Sequence, residues 1–226
     1  TYVARRPTLF KYRRIHFLGT NMLNQNFFAE LSELICTRIS HDLIGNIGAV
    51  ANAVELMDED PEAIDDAKSI LSISSKVLTA RLKFFRLVFG LNNTGVKTIA
   101  EITAPAEEYI ATVGSRTAPI KLNFNISTPA LYKIVMLGIM VMSDVFIRGG
   151  ELSISETVNG LTFTADSQSA LSAGKLAVIQ KVLNAEIPAE NPAQSAPLIY
   201  MMRLLNDTPV KITVSYTEKQ AVLQIA

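Results

Sequence analysis

The sequence predicts an α+β protein in which an N-terminal helical hairpin is followed by an α/β sandwich. Three observations lead to this fold class. Apolar residues recur with helical spacing in two long segments that meet at Asp60-Pro61. A stretch rich in glycine and asparagine, residues 90–95, then interrupts the pattern. Beyond it, short strand-like runs alternate with helical ones, which is typical of a sheet covered by helices on one side.

The first predicted helix runs from Phe28 to Met57. Its apolar residues are spaced by three or four positions, as in an amphipathic helix, and are Leu31, Ile35, Ile39, Leu43, Ile47, Val50, Val54 and Met57. Asp60 is a good N-cap, and Pro61 suits the first position of a helix. The second helix is therefore predicted to begin there and to continue to about Phe89.

The second helix carries two apolar stripes. The first is Ile64, Ala67, Leu71, Leu78, Leu82, Phe85 and Phe89, and the second is Ile70, Ile73, Val77, Phe84 and Val88. A helix in a simple hairpin needs only one apolar stripe, so the second stripe requires another partner. Two partners fit: a second copy of the chain, which gives a dimeric four-helix bundle, or the C-terminal half of the same chain.

The second half is predicted to alternate helices with strands. Helices are expected near residues 99–113, 129–146, 170–185 and 196–205, and strands over residues 121–126, 151–156, 161–165, 210–216 and 221–225. Asn159-Gly160 is a strong turn signal between the second and third strands. Ser127-Thr128-Pro129 is expected to cap the helix that follows it.

Composition narrows the classes of function. Of the 226 residues, 49% are hydrophobic, which is enough for a folded core. The single cysteine, Cys36, excludes an internal disulfide and fits a reducing compartment, so a cytoplasmic location is expected. Two histidines are too few for a Cys/His zinc site, and no metal site is predicted. The longest apolar run, residues 134–142, is too short to cross a membrane.

Charge is unevenly distributed, although the formal net charge is zero. Residues 1–21 hold five basic residues and no acidic one, whereas the rest has five more acidic than basic residues. A domain of that charge is a poor nucleic-acid binder. Residues 1–25 are expected to be a poorly ordered basic extension, either a tail for an anionic partner or a dispensable leader. The predicted domains are then the hairpin, residues 26–92, and the sandwich, residues 96–226.

His41 is the residue with the clearest chemical character. It lies two residues from both Ile39 and Leu43, so it points away from the apolar stripe. The face around it also holds Thr37, Arg38, Gly45, Gly48 and Asn52, with Leu34 and Ile44 at its edges. Each glycine inside a helix costs about 1 kcal/mol relative to alanine, so this open face needs a reason. Either another protein approaches the imidazole, or the glycines let a neighbouring helix pack closely.

The chemistry of these side chains suits phosphoryl transfer. A neutral imidazole is a good nucleophile near neutral pH and can carry a phosphoryl group. Asp42 could orient the His41 ring or hold the tautomer that leaves the other nitrogen free. Arg38, one turn back, could meet phosphate oxygens. An exposed histidine on a helix is also often an ordinary surface residue, so the spacing alone leaves both interpretations open.

The segment around His41 resembles the phospho-acceptor helix of ChpT-like histidine phosphotransferases. These proteins are related to the dimerisation and phosphotransfer domain of sensor histidine kinases. The motif is Arg38-x-x-His41-Asp42-Leu43-Ile44, followed by small residues. The similarity covers nearly all of the chain from about residue 27. The family commonly has a proline where Asn46 stands, a departure that affects helix shape more than chemistry.

The resemblance implies a homodimer with a four-helix bundle and a C-terminal domain related to the kinase ATPase domain. It also implies that the nucleotide site is lost. Residues 136–143, in the place of the kinase asparagine box, contain no asparagine. Asp166 stands without the glycines of the Asp-x-Gly-x-Gly box. No cofactor of its own is expected for this chain, and Mg²⁺ is expected on the partner.

The function implied by the resemblance is histidine phosphotransfer within a two-component phosphorelay. His41 would accept a phosphoryl group from a receiver domain of a hybrid histidine kinase and pass it to a response regulator. Asp42 would tune the imidazole, and the surrounding face would bind the receiver. Two other functions stay open: an active ATP-dependent histidine kinase, which needs the missing nucleotide boxes, and a dimeric scaffold in which His41 is incidental.

Overall fold

The computed structural model describes residues 25–91, 96–114, 117–158 and 160–226. Its N-terminal part is a helical hairpin made of α1 (Gln25–Glu59) and α2 (Ile64–Phe89), joined by a 3₁₀ turn, Pro61–Ala63. The predicted hairpin is confirmed. The basic extension expected over residues 1–25 lies outside the described residues, except for Gln25 at the start of α1.

The turn between the two helices follows from Asp60 and Pro61. The Asp60 side chain accepts a hydrogen bond from the backbone N–H of Glu62 at 2.9 Å, which satisfies one of the free donors at the start of the turn. Pro61 occupies the first position, where no N–H is required. The helical pattern therefore breaks and restarts within a few residues, and α2 folds back along α1.

The C-terminal part is a five-stranded mixed sheet with helices. In chain order it contains α3 (Ala100–Val113), β1 (Ile120–Asn125), α4 (Tyr132–Ser143), β2 (Gly150–Thr157), β3 (Gly160–Asp166), α5 (Ala173–Leu183), a 3₁₀ turn (Pro192–Ser195), α6 (Ala196–Leu204), β4 (Ile212–Tyr216) and β5 (Gln220–Ile225). The strand order is β1-β2-β3-β5-β4. Strand β1 runs parallel to β2, and the other pairs are antiparallel. This arrangement confirms the α+β fold class.

Helix α4 is the centre of the core, and every residue from Lys133 to Ser143 is buried. It is shorter than the predicted helix over residues 129–146. The Thr128 hydroxyl accepts a hydrogen bond from the Ala130 N–H at 3.2 Å in a turn that precedes the helix, so capping takes place before α4 begins. At Gly138 the helix lies so close to the sheet that a Cβ atom would collide with the Phe163 ring.

The hairpin packs against the C-terminal part through α1 and through the second half of α2. Phe84, Phe85 and Val88 are buried, and the Phe84 ring stacks on Tyr109 of α3 with centroids 3.9 Å apart. The second apolar stripe of α2 is thus partly covered by the same chain. Its first half is not, because Ile70 and Ile73 are exposed. A homodimer remains a prediction, and the uncovered half of the stripe is the surface on which it depends.

Candidate functional site

His41 lies in the middle of α1 with 80% of its side chain exposed. Gly45 and Gly48 follow one and two turns later on the same side of the helix. A Cβ atom at either glycine would meet nothing within 4 Å, so neither glycine is needed for close packing among the described residues. Close packing of a neighbouring helix within the described part of the chain is therefore not the reason for these glycines, and the approach of another protein to the imidazole stays a prediction.

The residues around His41 form an accessible surface, which we call the His41 face. Thr37, Ile44, Gly45, Gly48 and Asn52 are exposed, and Leu34 is half-buried. Ile44 is an exposed large apolar side chain. The face therefore combines a nucleophile, an apolar contact and two positions without side chains, which leaves room for a partner to approach the imidazole closely.

Arg38 differs from the sequence prediction, which placed it on this face as a ligand for phosphate. Its side chain is buried, with the whole residue 6% exposed. Its Nη1 and Nη2 donate to Asp144 at 2.7 and 3.0 Å, and its Nε donates to Asp42 Oδ2 at 2.9 Å. Burial alone would lower the pKa of Arg38, but Asp144, together with Asp42, raises it overall. Arg38 is thus an internal cation between two carboxylates.

Asp42 is held from two sides. Its Oδ2 accepts from Arg38, and its Oδ1 lies 3.4 Å from Nδ1 of His41. Its backbone carbonyl accepts a hydrogen bond from Arg81 of α2. When the proton of the neutral imidazole is on Nδ1, Asp42 is its acceptor, and Nε2 keeps a free lone pair. The arrangement can therefore present Nε2 of His41 as the nucleophile.

Three further residues of this site were not identified from the sequence. Asp144 follows α4, Tyr109 belongs to α3, and Arg81 belongs to α2. Burial raises the pKa of the Tyr109 hydroxyl, and the charge of Asp144 raises it further. Arg81 also donates to the Thr112 hydroxyl at 3.1 Å. An acidic residue directly after a long apolar run was the one local signal that could have pointed to Asp144.

The core around α4 is tightly packed, since every residue from Lys133 to Ser143 is buried. Where α4, α5 and the 192–195 turn meet, the structure has a cavity of about 20 Å³, lined in part by Asp144, Lys175 and Ser195. Pockets for small ligands are typically about 300–1,000 Å³. Met140 and Met142 are fully buried in the core.

None of the helices in the described part of the chain is long and apolar enough to cross a membrane.

Known proteins give two informative matches, and no family model matches the chain. The chain is 25% identical over 202 residues to the protein phosphotransferase ChpT of Brucella abortus (strain 2308), across 85% of this chain and 93% of the relative. A solved structure of a bacterial phosphotransferase shares the fold, with a TM-score of 0.72 at 22% identity over 88% of this chain and 96% of that chain. The match to the Brucella protein confirms that the chain resembles the ChpT-like phosphotransferases, and the solved structure confirms the fold.

Proposed function

We propose that this chain is a histidine phosphotransfer protein of a two-component phosphorelay. It accepts a phosphoryl group from the receiver domain of a hybrid histidine kinase and passes it to a response regulator. The observation that carries this proposal is the open His41 face, where an exposed imidazole is backed by Asp42. The similarity to a protein phosphotransferase supports it.

The proposed transfer takes place in two reversible steps. Nε2 of His41 attacks the phosphorus of the receiver's aspartyl phosphate, a P–N bond forms, and the P–O bond to the aspartate breaks. The receiver's carboxylate leaves with the electron pair of that bond. The imidazole gains positive charge during the attack, and the Asp42 carboxylate next to Nδ1 offsets it. The aspartate of the second receiver then attacks the same phosphorus, and His41 becomes neutral again.

The chain needs no cofactor of its own in this proposal, since Mg²⁺ is held by the receiver. The receiver docks on the His41 face, which consists of Leu34, Thr37, Ile44, Gly45, Gly48 and Asn52. Arg38 is buried behind this face and donates a hydrogen bond to Asp42. The C-terminal domain lies beside the same helix and offers a second contact, which would improve discrimination among similar receivers. A cytoplasmic location is part of the proposal because the phosphorelay partners would be there.

Labelling by a phosphorylated receiver tests the proposed function. Incubation of the full chain with receiver domains carrying labelled phosphate should transfer an acid-labile label to it. Incubation with labelled ATP and Mg²⁺ should not, because residues 136–143 contain no asparagine and Asp166 stands without the glycines of the kinase nucleotide boxes. Label from ATP would favour the histidine kinase, and no label from any receiver would favour the scaffold.

Gly45 offers a test of the docking face that separates folding from binding. Gly45→Ala should stabilise the chain by about 1 kcal/mol, because alanine is the better helix former and its Cβ atom meets nothing within 4 Å. Gly45→Leu should fold equally well but slow transfer from the receiver strongly, since its side chain would stand beside His41. Chemical unfolding and transfer kinetics measure the two effects. Ala29→Leu is the control. It changes an exposed position three turns from His41 and should leave the transfer rate unchanged.

The proposed homodimer depends on the uncovered stripe of α2. Ile73 is 52% exposed in the single chain. Ile73→Asp should therefore give a folded monomer, because a charge in a dimer core is costly whereas the same charge in water is not. Light scattering at micromolar concentration and circular dichroism measure the mass and the helix content. Ser75→Asp, on another side of the helix, should remain dimeric, and a monomeric unmodified chain would contradict the proposal.

A further inference from the structure

We infer that Asp144 is a positioning residue for His41: acting through Arg38 it fixes Asp42, and thereby fixes which nitrogen of the His41 ring carries the proton. This inference rests on the proposed function of His41 in phosphoryl transfer. It gives the C-terminal domain a direct part in the transfer site, because Asp144 belongs to that domain and the other three residues belong to α1.

The first link is the contact between Asp144 and Arg38. Both oxygens of Asp144 accept hydrogen bonds from the two terminal nitrogens of the guanidinium, at 2.7 and 3.0 Å. A guanidinium held at both terminal nitrogens cannot rotate in its plane, so the direction of its Nε–H is fixed. In Arg38 this Nε–H donates a hydrogen bond to Oδ2 of Asp42, at 2.9 Å.

The second link is the carboxylate of Asp42. With Oδ2 held by Arg38, Oδ1 is the oxygen left for His41, and it lies 3.4 Å from Nδ1. The backbone of Asp42 is fixed as well, since its carbonyl accepts from Arg81. A second nitrogen of Arg81 donates to the carbonyl of Thr112 at 3.2 Å, which ties this contact to α3. His41 is the one exposed member of the chain of contacts from Asp144.

Burial makes this chain of contacts effective. The side chains of Arg38, Asp42 and Asp144 are 7%, 14% and 19% exposed, whereas an ion pair in open solvent would contribute little. If the Asp42 carboxylate rotated freely, it would accept a hydrogen bond from the His41 ring only part of the time and would favour neither tautomer. Held in place, it favours the tautomer with the proton on Nδ1, which is the one that leaves Nε2 free to attack phosphorus.

The test combines nitrogen NMR of the His41 ring with transfer kinetics on the full chain. In the unmodified protein, the ¹⁵N shifts at neutral pH should show one dominant neutral tautomer with the proton on Nδ1. In Asp144→Asn the two tautomers should be mixed, and transfer from a phosphorylated receiver should slow by about ten-fold with little change in KM. Glu108→Gln is the matched control, because it breaks another ion pair between the hairpin and the C-terminal part, the exposed pair of Lys83 with Glu108, which does not contact Asp42.

A second variant covers the case in which Asp144→Asn does not fold. Arg38→Met combined with Asp144→Leu replaces the buried ion pair by apolar side chains, an exchange that folded proteins often tolerate. This variant should fold, show mixed tautomers and transfer slowly. If a folded variant keeps the ¹⁵N shifts of the His41 ring and the transfer rate of the unmodified protein, the inference is overturned and Asp144 has a purely structural role. If the unmodified chain accepts no phosphoryl group but its tautomer still depends on Asp144, the proposed function fails and the positioning role stands.

Discussion

His41→Ala is expected to abolish the acid-labile label that a phosphorylated receiver transfers to the chain. The reason is chemical, since alanine has no nitrogen that can form the P–N bond and no neighbouring side chain of the His41 face is a comparable nucleophile. The expected loss is complete within detection. Autoradiography or phosphate-affinity electrophoresis of the full chain after short incubation measures it.

The fold should not change in this variant. The His41 side chain is 80% exposed, and truncation of an exposed side chain rarely alters stability by more than about 0.5 kcal/mol. Circular dichroism and the unfolding midpoint should therefore match those of the unmodified chain. His16→Ala is the matched control because His16 is the other histidine of the sequence, and it should keep the label. Label that persists in His41→Ala would contradict the assignment of His41.

The hairpin and the exposure of His41 could be predicted because they depend on local sequence. The spacing of apolar residues defines the buried side of α1, and a residue two positions from both Ile39 and Leu43 must lie elsewhere. Asp60 and Pro61 act within one turn of the chain, so the position of the hairpin bend could be predicted as well. For the same reason, the strands of the sheet were placed to within about two residues.

The position of Arg38 could not be predicted from the helix alone. On the helix surface it is a neighbour of His41, and the pattern of α1 gives no sign that another domain covers it. Asp144, 106 residues further along the chain, closes over Arg38 in the folded protein. The pairing depends on how the end of α4 is placed against α1. The spacing of apolar residues within one helix gives no information on that placement. The ends of α4 were placed wrongly for a related reason, since Thr128 makes its hydrogen bond in a turn before the helix.

Arg38→Met is expected to lower the free energy of unfolding by about 3 kcal/mol, because it leaves two largely buried carboxylates without their cation. Asp42 and Asp144 both bond to Arg38, and their side chains are only 14% and 19% exposed. Chemical denaturation at one fixed protein concentration measures the change, since the stability of a dimer depends on concentration.

Two companion variants separate the loss of the cation from the loss of side-chain volume. Arg38→Met with Asp144→Leu should recover much of the stability, because an apolar pair no longer leaves Asp144 buried and unpaired. Lys83→Met removes the cation of the exposed pair with Glu108, at 3.1 Å, and should cost less than about 1 kcal/mol. A loss in Arg38→Met as small as that in Lys83→Met would show that water reaches Asp42 and Asp144 freely, and that the ion pair does not hold the C-terminal domain against α1.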